Sequence, residues 1–326
     1  MNLTSPSQVK AWCIENDFHP NKVLGQNFLI DQNALKAIVD AGLDPRLASH
    51  VPCRVLEIGP GMGVLTEEML KRGCKVVAIE KDPVLAARLE REAKAKVEAE
   101  PWWGNLELIT ADALDWIAGR GVGQETRDER HGAGQETKDE SLRCLTNNQQ
   151  PATNNQQPAT SNQQPATSNQ QPTTFSCMIS NLPYQAGTRI LLDLVLTRKL
   201  PSMTVLVQTE VAERLAAKEG SKVRGLAGVW AQLDYDVKIV RRVAASCFWP
   251  RPAIGSTVVK LTRHDRNVGL SAEERAVFHR LTKQAFEHRR KQLGSIFKDL
   301  IQSTARAEEL SNQDWIDLAR ALKGAI

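Results

Sequence analysis

The stretch Cys53-Arg54-Val55-Leu56-Glu57-Ile58-Gly59-Pro60-Gly61-Met62-Gly63 decides the fold. A strand-like run, CRVLEIG (53–59), gives way to glycines at alternate positions, and LTEEML (65–70) then carries apolar residues at helical spacing. Glycines at a strand-to-helix turn let a ligand approach the backbone closely, so a nucleotide-like ligand fits there. The dinucleotide fingerprint G-x-G-x-x-G would need glycine at position 64, where the chain has Val64, and a phosphate-cradling P-loop would need G-K-[ST], which is absent. NAD and ATP both lose ground.

Outward from this turn, short β-rich runs alternate with helical patterns. They are KVVAIE (75–80), LELIT (106–110), CMISN (177–181), MTVLVQ (203–208) and STVVKL (256–261), with VLAARLEREAKAKV among the helical segments. The alternation predicts an open, largely parallel α/β sheet, and after about Arg263 the pattern is helical only. Between them, residues 146–174 repeat a seven-residue unit of the type NNQQPAT, and GVGQETRDER is echoed by GAGQETKDE just upstream. Proline every seven residues and polar amides cannot build a core, so a disordered insertion is expected at about 119–174, interrupting a domain and dispensable for folding. The expected layout is a domain over 1–262, so interrupted, and a helical C-terminal domain over 263–326.

A chain of 326 residues with 41% hydrophobic content suits such a pair of globular parts. Neither a membrane-length apolar run nor a secretion-type N-terminus is evident, so a soluble, unexported, cytoplasmic protein is expected. Six cysteines, at 13, 53, 74, 144, 177 and 247, stand far apart in sequence with no C-x-x-C, which predicts reduced thiols and no metal site. Net charge is only +4. Between Phe278 and Lys298, however, six cations face one acid, Glu287, and that local patch suits either a solvated helix face or a polyanion.

The E-x-G-x-G-x-G turn that remains, with Glu57, Gly59, Gly61 and Gly63, resembles that of S-adenosylmethionine-dependent methyltransferases, whose ligand carries no phosphate. Glu80, ending the next strand, is placed to accept both ribose hydroxyls. Asp112, after the third strand, suits the ligand's adenine amine or, equally, a helix N-cap. The strongest signal is Asn181-Leu182-Pro183-Tyr184, ending the strand CMISN. Adenine N6 is a poor nucleophile because its lone pair is delocalised into the ring. The Asn181 oxygen and the Leu182 carbonyl could each accept one N6 hydrogen, Pro183 fixes the turn, and Tyr184 stacks on the base. Methyl transfer from a sulfonium is a direct displacement that needs neither a covalent intermediate nor a metal.

With these motifs in order, the chain resembles the KsgA/RsmA family of small-subunit (16S) ribosomal RNA adenine N6,N6-dimethyltransferases, relatives of the Erm resistance methyltransferases. Beyond the residues above, the resemblance rests on Gly25-Gln26-Asn27-Phe28-Leu29, Gln208-Thr209-Glu210-Val211, Phe248-Trp249-Pro250-Arg251-Pro252, and Phe286 with Arg289-Arg290-Lys291. It implies a Rossmann-like methyltransferase sheet with a small all-helical C-terminal domain. It also implies Asn27 and Leu29 beside the cofactor, Phe248 bordering the target-base pocket, and Arg289, Arg290 and Lys291 on an RNA-binding helix. The implied reaction is dimethylation of two adjacent adenines in a hairpin loop near the 3′ end of small-subunit rRNA, on immature 30S subunits, with no obligate protein partner and no membrane.

Three places depart from the family pattern: Ala111 stands where glycine is usual, Arg189 where proline is common, and Arg224-Gly225-Leu226-Ala227 replaces a Y-G-R-L-like stretch. Three competing assignments remain. They are an Erm-type enzyme of the large subunit, a small-subunit assembly factor acting mainly by binding, and a DNA adenine methyltransferase, for which no target-recognition domain is evident.

Overall fold

The computed structural model describes residues 1–21, 23–43, 53–119, 175–298 and 300–324, which form one compact unit. Nearly all of the repeat-bearing segment, 120–174, lies outside the described residues.

Helix α1 (Pro6–Glu15) and the short strand β1 (Phe28–Leu29) precede α2 (Gln32–Gly42), whose first turn is capped by the Asp31 carboxylate accepting the Ala34 N–H at 2.7 Å. The doubly wound part follows: β2 (Arg54–Ile58), α3 (Val64–Lys71), β3 (Lys75–Glu80), α4 (Pro83–Lys96), β4 (Leu106–Thr110), α5 (Ala113–Gly119), β5 (Cys177–Asn181), α6 (Gly187–Thr197) and β6 (Ser202–Gln208). Then come α7 (Thr209–Ala216), α8 (Leu226–Asp234), β7 (Tyr235–Val243), β8 (Phe248–Trp249) and β9 (Ser256–Arg263). The chain closes with α9 (Ala272–Glu287), α10 (Leu293–Ile296) and α11 (Asn312–Ala321).

Seven strands form one sheet in the order β4-β3-β2-β5-β6-β9-β7, the first five parallel and the last two antiparallel. All six runs expected to be strands are present. Alternation along β2 sends Leu56 and Ile58 to one apolar layer, under α5 to α8, and Val55 to the other, under α2 to α4. Because both faces are covered, β3 and β5 are buried almost throughout.

Strand β7 was not anticipated. Its sequence YDVKIVRRV is exposed along most of its length, as suits a charged edge strand that discourages further pairing, and a bulge interrupts its register between Ile239 and Arg241. The two-residue pair β1–β8, with Phe28 opposite Trp249 and Leu29 opposite Phe248, is likewise too short to show as a pattern.

The last helices gather around Val277, Phe278, Leu281, Trp315 and Ile316, and that core also takes Val229 and Leu233 from α8. Arg275 of α9 forks onto both oxygens of the buried Asp234 at 2.8 and 3.0 Å, joining α9 to the end of α8.

Candidate active site

The chain runs outward through β2, β3 and β4, then returns to continue through β5 and β6. The order therefore reverses between β2 and β5, where open α/β sheets bind ligands beyond the strands' carboxyl ends. A cleft of about 380 Å³ opens at that point. It brings together Asn27, Leu29, Glu57, Gly59, Gly61, Glu80, Asp112, Asn181, Leu182, Pro183 and Tyr184 from segments far apart in the chain.

The glycine turn is conformationally obligatory. Gly59, Gly61 and Gly63 have φ of +68°, +57° and +82°, values that other residues adopt only with strain. A side chain on Gly63, which caps α3, would also collide with Leu89 Cδ1 at 2.7 Å. Gly63 itself is not part of the cleft wall.

Two buried acids stand behind the turn. Glu57 is 1% exposed, and its carboxylate accepts the Thr66 hydroxyl at 2.7 Å. Burial, partly offset by that bond and reinforced by the charge of Glu80, pushes its pKa up to about 8. Glu57 is therefore largely protonated at neutral pH. Glu80 accepts backbone N–H groups from Gly61 and from Asp82, each at 2.9 Å, yet burial still raises its pKa.

Asp112 realises its capping role, since one oxygen accepts the Leu114 N–H at 2.8 Å in the first turn of α5. The other pairs with Lys81 at 2.8 Å, and that contact holds the Asp112 carboxyl below its ordinary range. Lys81 was not singled out from the sequence. Its side chain is 59% exposed, so displacing it from Asp112 costs little.

At the end of β5, the Asn181 amide nitrogen donates to the Asn27 carbonyl at 3.1 Å. A carbonyl only accepts, so this contact fixes the amide orientation and leaves Oδ1 on the other side. There Oδ1 is buried without a hydrogen-bond partner. Buried acceptors are overwhelmingly paired, and an orphan of this kind costs about 1–3 kcal/mol, which a ligand hydrogen would recover. The following turn is tightly held: the Leu182 N–H donates to the Leu206 carbonyl at 3.1 Å, and the Gly187 N–H to the Pro183 carbonyl at 2.7 Å. The Tyr184 hydroxyl shares a 2.5 Å hydrogen bond with Ser256 at the start of β9, which fixes the ring, and burial raises its pKa.

The Gly25–Leu29 segment lies across the cleft. Gly25 has φ +67°, and a Cβ there would stand 3.0 Å from the Tyr184 nitrogen. Gln26 donates to Asp82 at 2.7 Å, tying the segment to the cap of α4. Neither Gln26 nor Asp82 was among the expected site residues. The contact joins residues 56 positions apart and leaves no local signal.

Other expectations need correction. Phe248 is 2% exposed and packs in the core with Leu29, Val243 and Val258, so it does not line the cleft. It pairs with Leu29 across β1–β8, and the two side chains share one buried cluster. Arg289, Arg290 and Lys291 do not lie on a helix, because α9 ends at Glu287 and His288 caps it with φ −112° and ψ 34°. Arg289 turns inward to Glu308 and to the Lys222 carbonyl, while Arg290 and Lys291 are exposed. Arg224, in the departing Arg224–Ala227 stretch, is 1% exposed and donates to Asn312 at 2.8 Å, so it braces α11.

A doubly wound sheet that leaves a buried amide acceptor unpaired on a residue lining its switch-point cleft, beside a glycine turn without a P-loop lysine, is the architecture of an S-adenosylmethionine-dependent methyltransferase. The chain belongs to the ribosomal RNA adenine dimethylase family, which it matches over residues 17–323. Ribosomal RNA small subunit methyltransferase A of Lactobacillus helveticus is 31% identical over 97% of this chain and 91% of its own length. The protein of the same name from Protochlamydia amoebophila is 30% identical over 99% and 98%. Among solved structures, a dimethyladenosine transferase from Plasmodium falciparum superposes with a TM-score of 0.59 at 19% identity, covering 90% of this chain and 96% of its own. The 23S rRNA methyltransferase ErmE gives 0.54 at 17% identity, covering 90% and 98%. These two likenesses concern the fold. Among the described residues, no helix is long and apolar enough to cross a membrane.

Proposed function

We propose that this protein transfers methyl groups from S-adenosylmethionine to N6 of two adjacent adenines in a hairpin loop near the 3′ end of small-subunit rRNA, acting in the cytoplasm on immature 30S subunits. The observation that carries the chemistry is the buried, unpartnered Asn181 Oδ1 at the switch point. The names of the bacterial relatives support the small subunit as substrate.

In this reading Asn181 Oδ1 accepts one N6 hydrogen and the Leu182 carbonyl the other, which localises the lone pair towards the donor. Tyr184, anchored by Ser256, offers its ring as the stacking platform for a base taken out of the RNA stack, a contact worth about 1–3 kcal/mol. Glu80 receives the ribose hydroxyls, Asp112 the adenine amine once Lys81 yields, and Glu57, Gly59, Gly61, Gly63, Asn27 and Leu29 shape the cradle. S-adenosylmethionine supplies an activated methyl group on sulfonium, so the protein contributes position and charge complementarity and no metal is needed. Arg290 and Lys291, with the inward Arg289 bracing their turn, contact phosphates.

The test is transfer of radiolabelled methyl to purified small subunits that lack the modification, with labelled nucleosides identified by mass. Label in N6,N6-dimethyladenosine of small-subunit RNA is expected. Absence of label on small subunits, or its appearance only when large subunits or DNA are offered in parallel, would overturn the substrate assignment.

A further inference from the structure

Away from the cleft, at the amino-terminal edge of the same sheet, the fold assembles something the spacing of the cysteines conceals. Cys53 immediately precedes β2, Cys74 immediately precedes β3, and Cys177 opens β5, so three thiols from three neighbouring strands come to one face of the sheet. All three are free, and Cys53 packs against the buried apolar cluster that holds Cys74 and Cys177. Among the described residues no cluster of three or more metal-ligating side chains is arranged to hold a metal ion.

We propose that Cys53 and Cys74 are a reversible oxidation site for hydroperoxides, with Cys53 the attacking thiol and Cys74 the resolving one. Access distinguishes the two roles: Cys53 is half-buried, whereas Cys74 and Cys177 are 2% and 1% exposed. The neighbouring Cys177 and Cys74 thiols hold the Cys53 thiol well below its ordinary range, and Cys53 together with burial pushes those two up. A stabilised thiolate is the species that attacks peroxide.

Backbone register selects the partner. Arg54 pairs with Lys75, and the Lys75 N–H donates to the Cys53 carbonyl at 2.9 Å, so Cys53 stands level with Cys74 on the neighbouring strand. Level residues of adjacent strands are about 4.8 Å apart, inside the roughly 4.4–6.8 Å between Cα atoms that a disulfide spans. Cys177 pairs with Val55, two residues beyond Cys53. Two rises of about 3.3 Å combined with one strand spacing place its Cα about 8 Å away, beyond the reach of a bridge without backbone movement.

The chemistry closes without help from the protein. Cys53 sulfur attacks one oxygen of hydrogen peroxide; the O–O bond breaks, an S–O bond forms, and the other oxygen leaves as water. Cys74 sulfur then attacks the Cys53 sulfenic acid; an S–S bond forms, the S–O bond breaks, and a second water departs. Two thiols lose two electrons, and peroxide is reduced to two waters. The ring so closed contains β2, the glycine turn and α3.

The experiment treats the purified full-length chain with hydrogen peroxide, blocks residual thiols by alkylation and maps peptides without reduction, in wild type and in a Cys144→Ser background. A linked Cys53–Cys74 peptide, with two hydrogens lost from the intact mass and recovered by dithiothreitol, is expected. Cys177→Ser should retain the link, and Cys74→Ser should leave Cys53 as a dimedone-reactive sulfenic acid. Wild-type mapping alone can overturn the proposal, whatever the folding of the variants: a Cys53–Cys177 link, Cys53 driven to sulfinic or sulfonic acid, or Cys53 untouched would each do so.

Discussion

Replacing Asn181 by alanine separates what this residue does for the fold from what it does for the reaction. In the folded chain Asn181 makes one hydrogen bond, from its amide nitrogen to the Asn27 carbonyl, and holds one buried orphan, Oδ1. Losing the bond costs about 0.5–1.5 kcal/mol, and stranding the Asn27 carbonyl adds to it, but removing an unpaired buried acceptor gives back about 1–3 kcal/mol. The net change in stability is therefore small, within about 1 kcal/mol, or about 1.5 °C in melting temperature for a protein of this size. The reaction keeps no such compensation. Removing one preorganised group aimed at developing charge lowers kcat by about 10²–10³, equivalent to about 2.7–4 kcal/mol. Methyl transfer under saturating S-adenosylmethionine, read beside thermal unfolding, measures both. Asn181→Asp should be as inactive and less stable, because it sets a carboxylate oxygen against the Asn27 carbonyl. An Asn181→Ala protein that methylates within tenfold of wild type would refute the role given to Oδ1, and one that is inactive only because it no longer folds would refute the partition.

Glu57 carries a pH signature. Its pKa is raised from 4.5 to about 8 in the fold, so between those values the unfolded chain has released a proton that the folded chain still holds, and stability falls as pH rises. Thermal melts without cofactor should drop across pH 5–8 by up to about 1.4 kcal/mol per pH unit, and Glu57→Gln should flatten that slope; an unchanged slope would place the loss elsewhere. Gly63→Ala forces a side chain into φ +82° and onto Leu89, so differential scanning should show about 2–4 kcal/mol of destabilisation from left-handed strain and overpacking together; a change below 1 kcal/mol would contradict that geometry. Arg290→Ala and Lys291→Ala should each weaken RNA binding, lower the log–log salt dependence by about 1 and leave melting unchanged, because both are exposed. Arg289→Ala should lower stability as well, since its guanidinium bonds Glu308 and the Lys222 carbonyl.

Much of the fold was legible from order and periodicity, and most of the residues singled out from the sequence do line one cleft. The alternation of strand and helix fixed a doubly wound sheet, because period-2 and period-3.6 patterns bury different faces and need no distant partner to be recognised. Glycines at 59, 61 and 63 announced a strand-to-helix turn open to a ligand through a property of the residue itself, and Asn181–Tyr184 stood out through the chemistry of its groups. The exposed, charged β7 was illegible for the opposite reason, since its pairing with β9 depends on a neighbour and not on its own apolar pattern.

What only tertiary structure decided were the contacts that cross the chain. The sequence named Phe248 as a pocket residue, and the fold buries it in the cluster that holds Leu29. It placed Arg289 to Lys291 on a helix, and the cap at His288 ended that helix first, turning one arginine inward and leaving its neighbours outside. It offered Asp112 two roles, and the fold gave it both a capping bond and an ion pair with Lys81. It scattered its cysteines, and the parallel register of β2, β3 and β5 gathered three of them. The physical reason is common to all four. A residue's conformational preference and chemical type are local and travel with the sequence, whereas burial, partner and charge state are set by whichever distant segment the closed sheet brings alongside.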